Sequence, residues 1–145
     1  MKLAGGMKTG GGIPKGRAAG MNDISGKINE IKKGYPIEKF ERLKDELGIS
    51  KELLARVANI SLATMHRRKS SSGRLSPDES DKIYRIEKLY AAALEVFEST
   101  EGVRLWFTTV QTVFGGRTPL EYADTLPGAE EVERVLRRME HGIVL

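Results

Sequence analysis

Apolar residues recur every three or four positions from residue 36 to the end of the chain, which is the spacing of one face of an α-helix. The first series ends before Gly48, a helix-stop signal, and consists of Ile37, Phe40, Leu43 and Leu47. A longer series after Ser76 consists of Ile83, Ile86, Tyr90, Ala93 and Phe97, with Leu89 and Val96 beside it. The sequence shows no alternating pattern of the kind that strands produce, so we predict an all-α fold.

Capping residues mark several of the predicted helix starts. Ser50 and Ser61 are suited to cap two short helices. Residues 76–79, Ser-Pro-Asp-Glu, combine a cap, a proline at the first helical position and acidic side chains against the positive end of the helix dipole. Residues 118–121, Thr-Pro-Leu-Glu, have the pattern of a capping box and begin a further short helix.

The two short helices form a candidate helix-turn-helix over about residues 50–69. Their connection is the three-residue turn 59–61, Asn-Ile-Ser. Ala55 is small where the first helix must pass close to the second, and the apolar Ile60 can fill the turn. This arrangement is typical of a DNA-binding unit.

The second helix and the loop after it carry the side chains that we expect to contact DNA. Arginine pairs bidentately with guanine, threonine bonds a base or a phosphate, and lysine and serine suit phosphates. The candidate DNA-binding residues are Ser61, Thr64, Met65, Arg67, Arg68, Lys69, Ser70 and Arg74. His66 is interpreted as a surface residue or a phosphate donor. The alternative is a basic helix face that only keeps the domain in solution.

Charge is distributed unevenly along the chain, whose formal net charge is +4. Residues 51–86 contain eight basic and four acidic side chains, whereas residues 87–145 contain six basic and ten acidic ones. The basic part favours contact with a polyanion, and the acidic part favours a different partner. Residues 1–35 are glycine-rich and basic, and they are predicted to form a flexible tail.

The composition argues against several classes of protein. No apolar run approaches the length of a membrane span, and the absence of cysteine excludes disulfides, thiolate metal sites and a cysteine nucleophile. The glycine-rich stretch at residues 10–16 lacks the spacing of a phosphate-binding loop, so no cofactor is expected. Glu130 and Glu131 lie at a helix start, where the dipole explains them, and an enzyme is disfavoured. We expect a cytoplasmic protein.

An ordered series of motifs resembles the Xre/ParS/MbcA-type antitoxins over about residues 40–145. The motifs are residues 64–69, Thr-Met-His-Arg-Arg-Lys; residues 73–81, Gly-Arg-Leu-Ser-Pro-Asp-Glu-Ser-Asp; Trp106; residues 115–120, Gly-Gly-Arg-Thr-Pro-Leu; residues 128–132; and residues 138–142, Arg-Met-Glu-His-Gly. Trp106 itself, with Phe97 and Phe107, is interpreted as part of the hydrophobic core.

The resemblance implies a fold and a function. It implies an Xre-like helix-turn-helix domain, placed at 36–86, and a small helical toxin-binding domain, placed at 87–145. Such antitoxins neutralise a RES-domain toxin, which uses NAD, and commonly repress their own promoter. The expected partners are therefore a RES-domain toxin and operator DNA. Because a helix-turn-helix gains contacts from two half-sites, we expect a homodimer, and with toxin a heterotetramer or larger assembly.

The end of the chain is the expected toxin-binding segment. The last predicted helix, over about 129–141, stops at Gly142 and is followed by three apolar residues and the terminal carboxylate. This end is predicted to enter the NAD pocket of the toxin; the alternative is a frayed end or one packed on its own domain. The expected toxin-binding residues are Arg137, Glu140, His141, Gly142, Ile143, Val144 and Leu145.

A transcriptional regulator without a toxin partner is the competing function. In that case the helix-turn-helix would still bind DNA, and the C-terminal helices would bind a small molecule or serve only for dimerisation.

Overall fold

The structure, a computed structural model, describes the backbone of residues 15–142 and the side chains of residues 24–142. The predictions made for residues 1–14 and for Ile143, Val144 and Leu145 lie outside the described residues.

The described part of the chain is helical, which confirms the all-α prediction. The first five helices are α1 (Lys15–Lys33), α2 (Ile37–Leu47), α3 (Lys51–Val57), α4 (Leu62–Ser70) and α5 (Pro77–Phe97). They are followed by α6 (Thr100–Phe107), a 3-10 turn (Thr112–Phe114), α7 (Pro119–Tyr122) and α8 (Leu126–Glu140).

Helix α1 corrects part of the prediction for residues 1–35. The glycine content predicts an unstructured segment, but Lys15–Lys33 is helical and packs against α5. Ile31 packs against the hydrophobic core, whereas Ile24 (56% exposed) and Ile28 (47% exposed) face solvent. Packing of α1 against α5 therefore offsets the intrinsic helix penalty of Gly26.

The capping residues act as the sequence predicts. Ser50 and Ser61 each accept a hydrogen bond from a backbone N–H three residues later, at 3.0 Å in both cases. Ser76 and Thr118 begin complete capping boxes. Helix α8 begins at Leu126, earlier than the predicted residue 129, because Thr125 provides its cap.

Helix α5 is the central element of the core. It packs against α1 and α2, which precede it in the chain, and against α6 and α8, which follow it. The predicted domain boundary between residues 86 and 87 falls inside this helix. A single cluster of buried side chains therefore runs through both halves, and its largest fully buried members are Tyr35, Phe40, Phe107 and Phe114.

An aromatic cluster fills the C-terminal half of this core. Phe107 is fully buried, as predicted. Trp106 is half-buried and packs edge-on against it with the ring centroids 5.2 Å apart, and Phe97 lies 5.7 Å from the Trp106 ring. These rings attach α6 to the end of α5.

Arg104 joins the two halves directly. From α6, its guanidinium donates hydrogen bonds to the backbone carbonyls of Asp45 (2.9 Å) and Glu46 (3.0 Å) in the last turn of α2. The Asp45 carbonyl also accepts the Gly48 N–H at 3.1 Å, and the cation of Arg104 complements the negative end of the helix dipole. Gly48 ends α2 in the left-handed conformation (φ 66°), and a Cβ at this position would lie 2.9 Å from the Arg104 side chain.

No helix within residues 15–142 is both long enough and apolar enough to cross a membrane.

Candidate nucleic-acid interface and partner surface

The turn between α3 and α4 has the geometry that a helix-turn-helix requires. Asn59 adopts a left-handed conformation (φ 57°), which its short polar side chain tolerates. Ile60 is 4% exposed and Ala55 is 3% exposed, so the first fills the turn and the second lets the helices approach. The Ile60 N–H donates to the Ala55 carbonyl at 2.8 Å and closes the turn.

Helix α4 presents one exposed face. Its members are Leu62, Ala63, His66 and Arg67, which lie at helix positions i, i+1, i+4 and i+5. Lys69 and Ser70 are also exposed near the end of the helix. Leu62 and Ala63 were not among the predicted DNA-binding residues, most of which are polar. Their position directly after the cap Ser61 was the available signal.

Met65 is a correction to the predicted DNA-binding set. It is 5% exposed and belongs to the hydrophobic core. In a helix it points roughly opposite to Ala63 and Arg67, since two residues correspond to about 200° of rotation. Met65 therefore holds α4 on the protein and does not face a groove.

Arg68 stays a predicted DNA contact, but its guanidinium is already engaged within the protein. Its Nε and Nη2 atoms donate to the two carboxylate oxygens of Glu79 at 3.2 and 3.3 Å. The same carboxylate accepts the Ser76 backbone N–H at 2.7 Å, which completes the capping box of α5. Arg68 thus ties the recognition helix to the start of α5 and is a positioning residue.

The environment of Glu79 keeps it ionised. Partial burial raises the pKa of this carboxyl, but the hydrogen bond from the Ser76 backbone and the Arg68 guanidinium together bring its pKa below the usual value. The ion pair is therefore present at neutral pH.

Arg74, another predicted DNA contact, also has a partner within the protein. Its Nη1 donates to the Gly34 carbonyl at 2.6 Å, and its backbone pairs with that of Pro36. Gly34 permits this approach, since a Cβ there would overlap the Leu75 carbonyl oxygen. Arg74 consequently fixes the loop after α4 against the loop after α1.

The hydroxyl groups of Ser61 and Thr64 at the start of α4 are hydrogen-bonded to each other. Ser61 Oγ accepts the Thr64 N–H at 3.0 Å and donates to Thr64 Oγ1 at 2.8 Å. At the other end, Ser70 Oγ donates to the His66 carbonyl at 3.0 Å. Ser61, Thr64 and Ser70 therefore act first as capping and helix-end groups.

Arg67 and Lys69 are exposed basic side chains of this unit. No acidic residue occurs in residues 53–77. The α4 segment itself therefore presents no like charge to the phosphates of a duplex, although Glu41 of α2 and Glu52 of α3 line a shallow depression together with Leu62, His66 and Lys69.

The end of α8 places the predicted toxin-binding residues as follows. Arg137 is exposed and paired with Glu133 at 2.6 Å within the helix. Glu140 and His141 are exposed, and Gly142 has φ 77°, the left-handed conformation predicted for a helix stop. Arg137 is thus paired within its own helix, whereas Glu140 and His141 face solvent.

Several large apolar side chains of the C-terminal half are exposed, which was not predicted. They are Leu105 (69% exposed), Val110 (62%), Val113 (46%) and Leu126 (51%). Val113 lines a shallow depression together with residues at the start of α8. Val110 continues the helical spacing of Val103 and Phe107, but α6 ends at Phe107 and Val110 lies outside the helix.

Among residues 24–142, no three histidine or carboxylate side chains gather in a way that suits a metal ion.

Two family models match the chain, one on each side of the middle of α5. Residues 28–88 match the antitoxin Xre-like helix-turn-helix domain, and residues 92–142 match the antitoxin Xre/MbcA/ParS C-terminal toxin-binding domain. The chain is therefore an antitoxin that combines a helix-turn-helix domain with a toxin-binding domain. It belongs to the Xre/MbcA/ParS family of antitoxins. The first match begins inside α1, ahead of the predicted domain start at residue 36.

Curated relatives carry names that agree with this family. An antitoxin Xre of Yersinia enterocolitica is 29% identical over 80% of this chain and 79% of that protein. An antitoxin Xre of Photorhabdus laumondii is 29% identical over 92% of this chain and 86% of that protein. A protein of a Sphingobium strain, named Prs ADP-ribosylating antitoxin, is 22% identical over 80% of this chain and 79% of that protein.

Proposed function

We propose that this antitoxin represses its own operon through α3 and α4 and neutralises a RES-domain, NAD-using toxin through its C-terminal half. It acts in both cases by binding, without catalysis. The observation that carries the proposal is the separation of two unlike surfaces on one core. An exposed basic face lies on α4, and an acidic, partly apolar surface lies beyond residue 92.

The DNA half of the proposal rests on shape and charge. The helix-turn-helix geometry lets α4 enter a major groove, where Arg67 is the exposed arginine of the recognition helix. Lys69 and the loop after it are suited to the flanking phosphates. Repression follows where the bound site overlaps the promoter of the antitoxin and toxin genes.

The toxin half rests on electrostatic complementarity. A pocket that binds the pyrophosphate of NAD is electropositive, and residues 87–145 carry ten acidic against six basic side chains. The name of the Sphingobium relative refers to ADP-ribosylation, a transfer reaction that draws on NAD. The segment after Gly142, residues 143–145, enters the pocket and blocks it.

The assembly we propose is a homodimer, because two recognition helices then read half-sites one DNA turn apart. Binding of one toxin to each subunit gives a heterotetramer, or a larger assembly where dimers associate.

Co-expression with the product of the neighbouring gene tests neutralisation. Growth arrest by that product should be relieved by the full chain. A variant truncated after Gly142 should relieve it less while binding DNA as well as the full chain does. Equal protection by both would refute pocket blocking by residues 143–145.

The matched control is Arg67→Ala, which leaves the C-terminal half intact. It should protect cells fully while losing affinity for the operator. A chain that binds DNA but never relieves arrest would instead support a transcriptional regulator whose C-terminal helices serve dimerisation or bind a small molecule.

A further inference from the structure

We infer that Leu62 is a specificity-determining residue that reads the 5-methyl group of a pyrimidine in the major groove. The inference rests on the proposed binding of duplex DNA and adds which chemical group the base edge must present. Leu62 is the first residue of α4, directly after its cap, and it is 41% exposed. In helix-turn-helix proteins, the residues at the start of the recognition helix are the ones that reach base edges.

Several side chains of α4 near Leu62 are engaged within the protein, while Glu41 and Glu52 of the preceding helices line the same shallow depression as Leu62. Ser61 uses its hydroxyl to accept the Thr64 N–H and to donate to the Thr64 hydroxyl. Met65 is buried, and Arg68 is held by Glu79. The start of the exposed face is consequently formed by Leu62 and Ala63, neither of which has a side-chain hydrogen-bond donor or acceptor.

An apolar side chain at this place can discriminate bases by one feature only. In the major groove, the pyrimidine 5-methyl is the apolar group at the base edge, and contact with aliphatic side chains is its normal mode of recognition. A leucine facing a cytosine N4 amino group would instead remove a polar group from water without pairing it.

Two bases carry this methyl group, thymine and 5-methylcytosine, and substituted duplexes distinguish them. The full-length protein is first used to select binding sites from random duplex DNA. Each thymine of the selected half-site is then replaced by uracil, which removes the methyl group and keeps every hydrogen-bonding group.

The expected result is a loss of about fivefold in affinity at one position of each half-site, from burial of one methyl group. The Leu62→Ala variant should bind the thymine duplex more weakly and show no further loss with uracil. Leu105→Ala, an exposed leucine outside the helix-turn-helix, is the matched control and should keep the full uracil effect.

At the sensitive position, a 5-methylcytosine·guanine pair should bind more tightly than a cytosine·guanine pair for the wild type but not for Leu62→Ala. Comparing the affinities for the thymine and 5-methylcytosine duplexes then shows which of the two bases the protein prefers.

Other results overturn the inference. If the wild type selects sites but tolerates uracil at every position, Leu62 does not read a methyl group, although DNA binding stands. If Leu62→Ala retains the uracil effect, another residue reads it. If no duplex is selected at all, the proposed DNA binding fails together with this inference.

Discussion

Replacing Glu79 by glutamine should lower the free energy of unfolding by about 1 kcal/mol at neutral pH, whereas alanine should lower it by about 2–3 kcal/mol. The Glu79 carboxylate makes two kinds of contact: it accepts the Ser76 N–H at 2.7 Å, and it pairs with Arg68 at 3.2 and 3.3 Å. Glutamine can retain the capping contact but loses the ion pair.

The magnitude follows from these contacts. A hydrogen bond to a charged acceptor contributes about 1.5–3 kcal/mol, which alanine removes, whereas the neutral amide oxygen of glutamine keeps a hydrogen bond of about 0.5–1.5 kcal/mol. The side chain of Glu79 is 15% exposed and that of Arg68 is 32% exposed, so the pair is only partly screened. We therefore expect Arg68→Ala to cost about 1 kcal/mol and the two residues to couple by about 0.5–1 kcal/mol.

Urea unfolding as a function of pH measures this prediction. Since the pKa of Glu79 is lower in the folded than in the unfolded protein, its stabilising effect is present above the unfolded-state value of about 4.3. The effect is lost as pH falls through the lower folded-state value. The stability difference between wild type and Glu79→Gln should thus be largest at neutral pH and shrink under acid conditions.

Two results would refute this reasoning. A difference between wild type and Glu79→Gln that stays constant from neutral to acid pH would show that the charge of Glu79 is unimportant. Full additivity of Arg68→Ala and Glu79→Gln in the double variant would show that the two side chains do not stabilise each other.

Further substitutions test other parts of the structure. Arg67→Ala should weaken operator binding about tenfold and reduce its salt dependence, with unchanged stability, whereas Arg68→Ala should act mainly on stability; gel shifts at several salt concentrations separate them. Leu105→Asp, at a side chain that is 69% exposed, should change stability by less than about 0.5 kcal/mol yet weaken co-purification with the toxin. Gly128→Ala should cost about 2 kcal/mol or more, because its Cβ would overlap the Tyr122 carbonyl oxygen; an unchanged melting temperature would contradict this.

The helices and their starts could be predicted from the sequence because their signals are local. Ser61 and Ser76 cap the helices that follow them, and Gly48 ends α2, as their positions indicated. Each of these residues acts on backbone groups within a few positions along the chain. Burial of Ile60 in the turn likewise follows from short-range geometry.

The functional face of α4 could be predicted only in part, since it depends on distant partners. Arg68 is engaged by Glu79, and Arg74 by Gly34, forty residues earlier in the chain. A list of basic residues does not distinguish a side chain with such a partner from an exposed one such as Arg67. Met65 was misassigned for a similar reason, because its burial depends on how α4 packs.

The exposed apolar side chains of the C-terminal half were the hardest feature to predict from the sequence. Val110 continues a helical spacing and suggests a core position, but α6 ends before it and leaves its side chain 62% exposed. The end of α6 therefore determines whether Val110 is buried or exposed, and the residues after Phe107 give only a weak helix-stop signal.

Helix α5 has a consequence for how long the antitoxin stays active. The one helix supports both halves, and Arg104 bonds α6 to α2, so the two halves share one hydrophobic core. A protease that cuts this helix would disrupt the helix-turn-helix domain and the toxin-binding domain together. The two domains would then have the same lifetime.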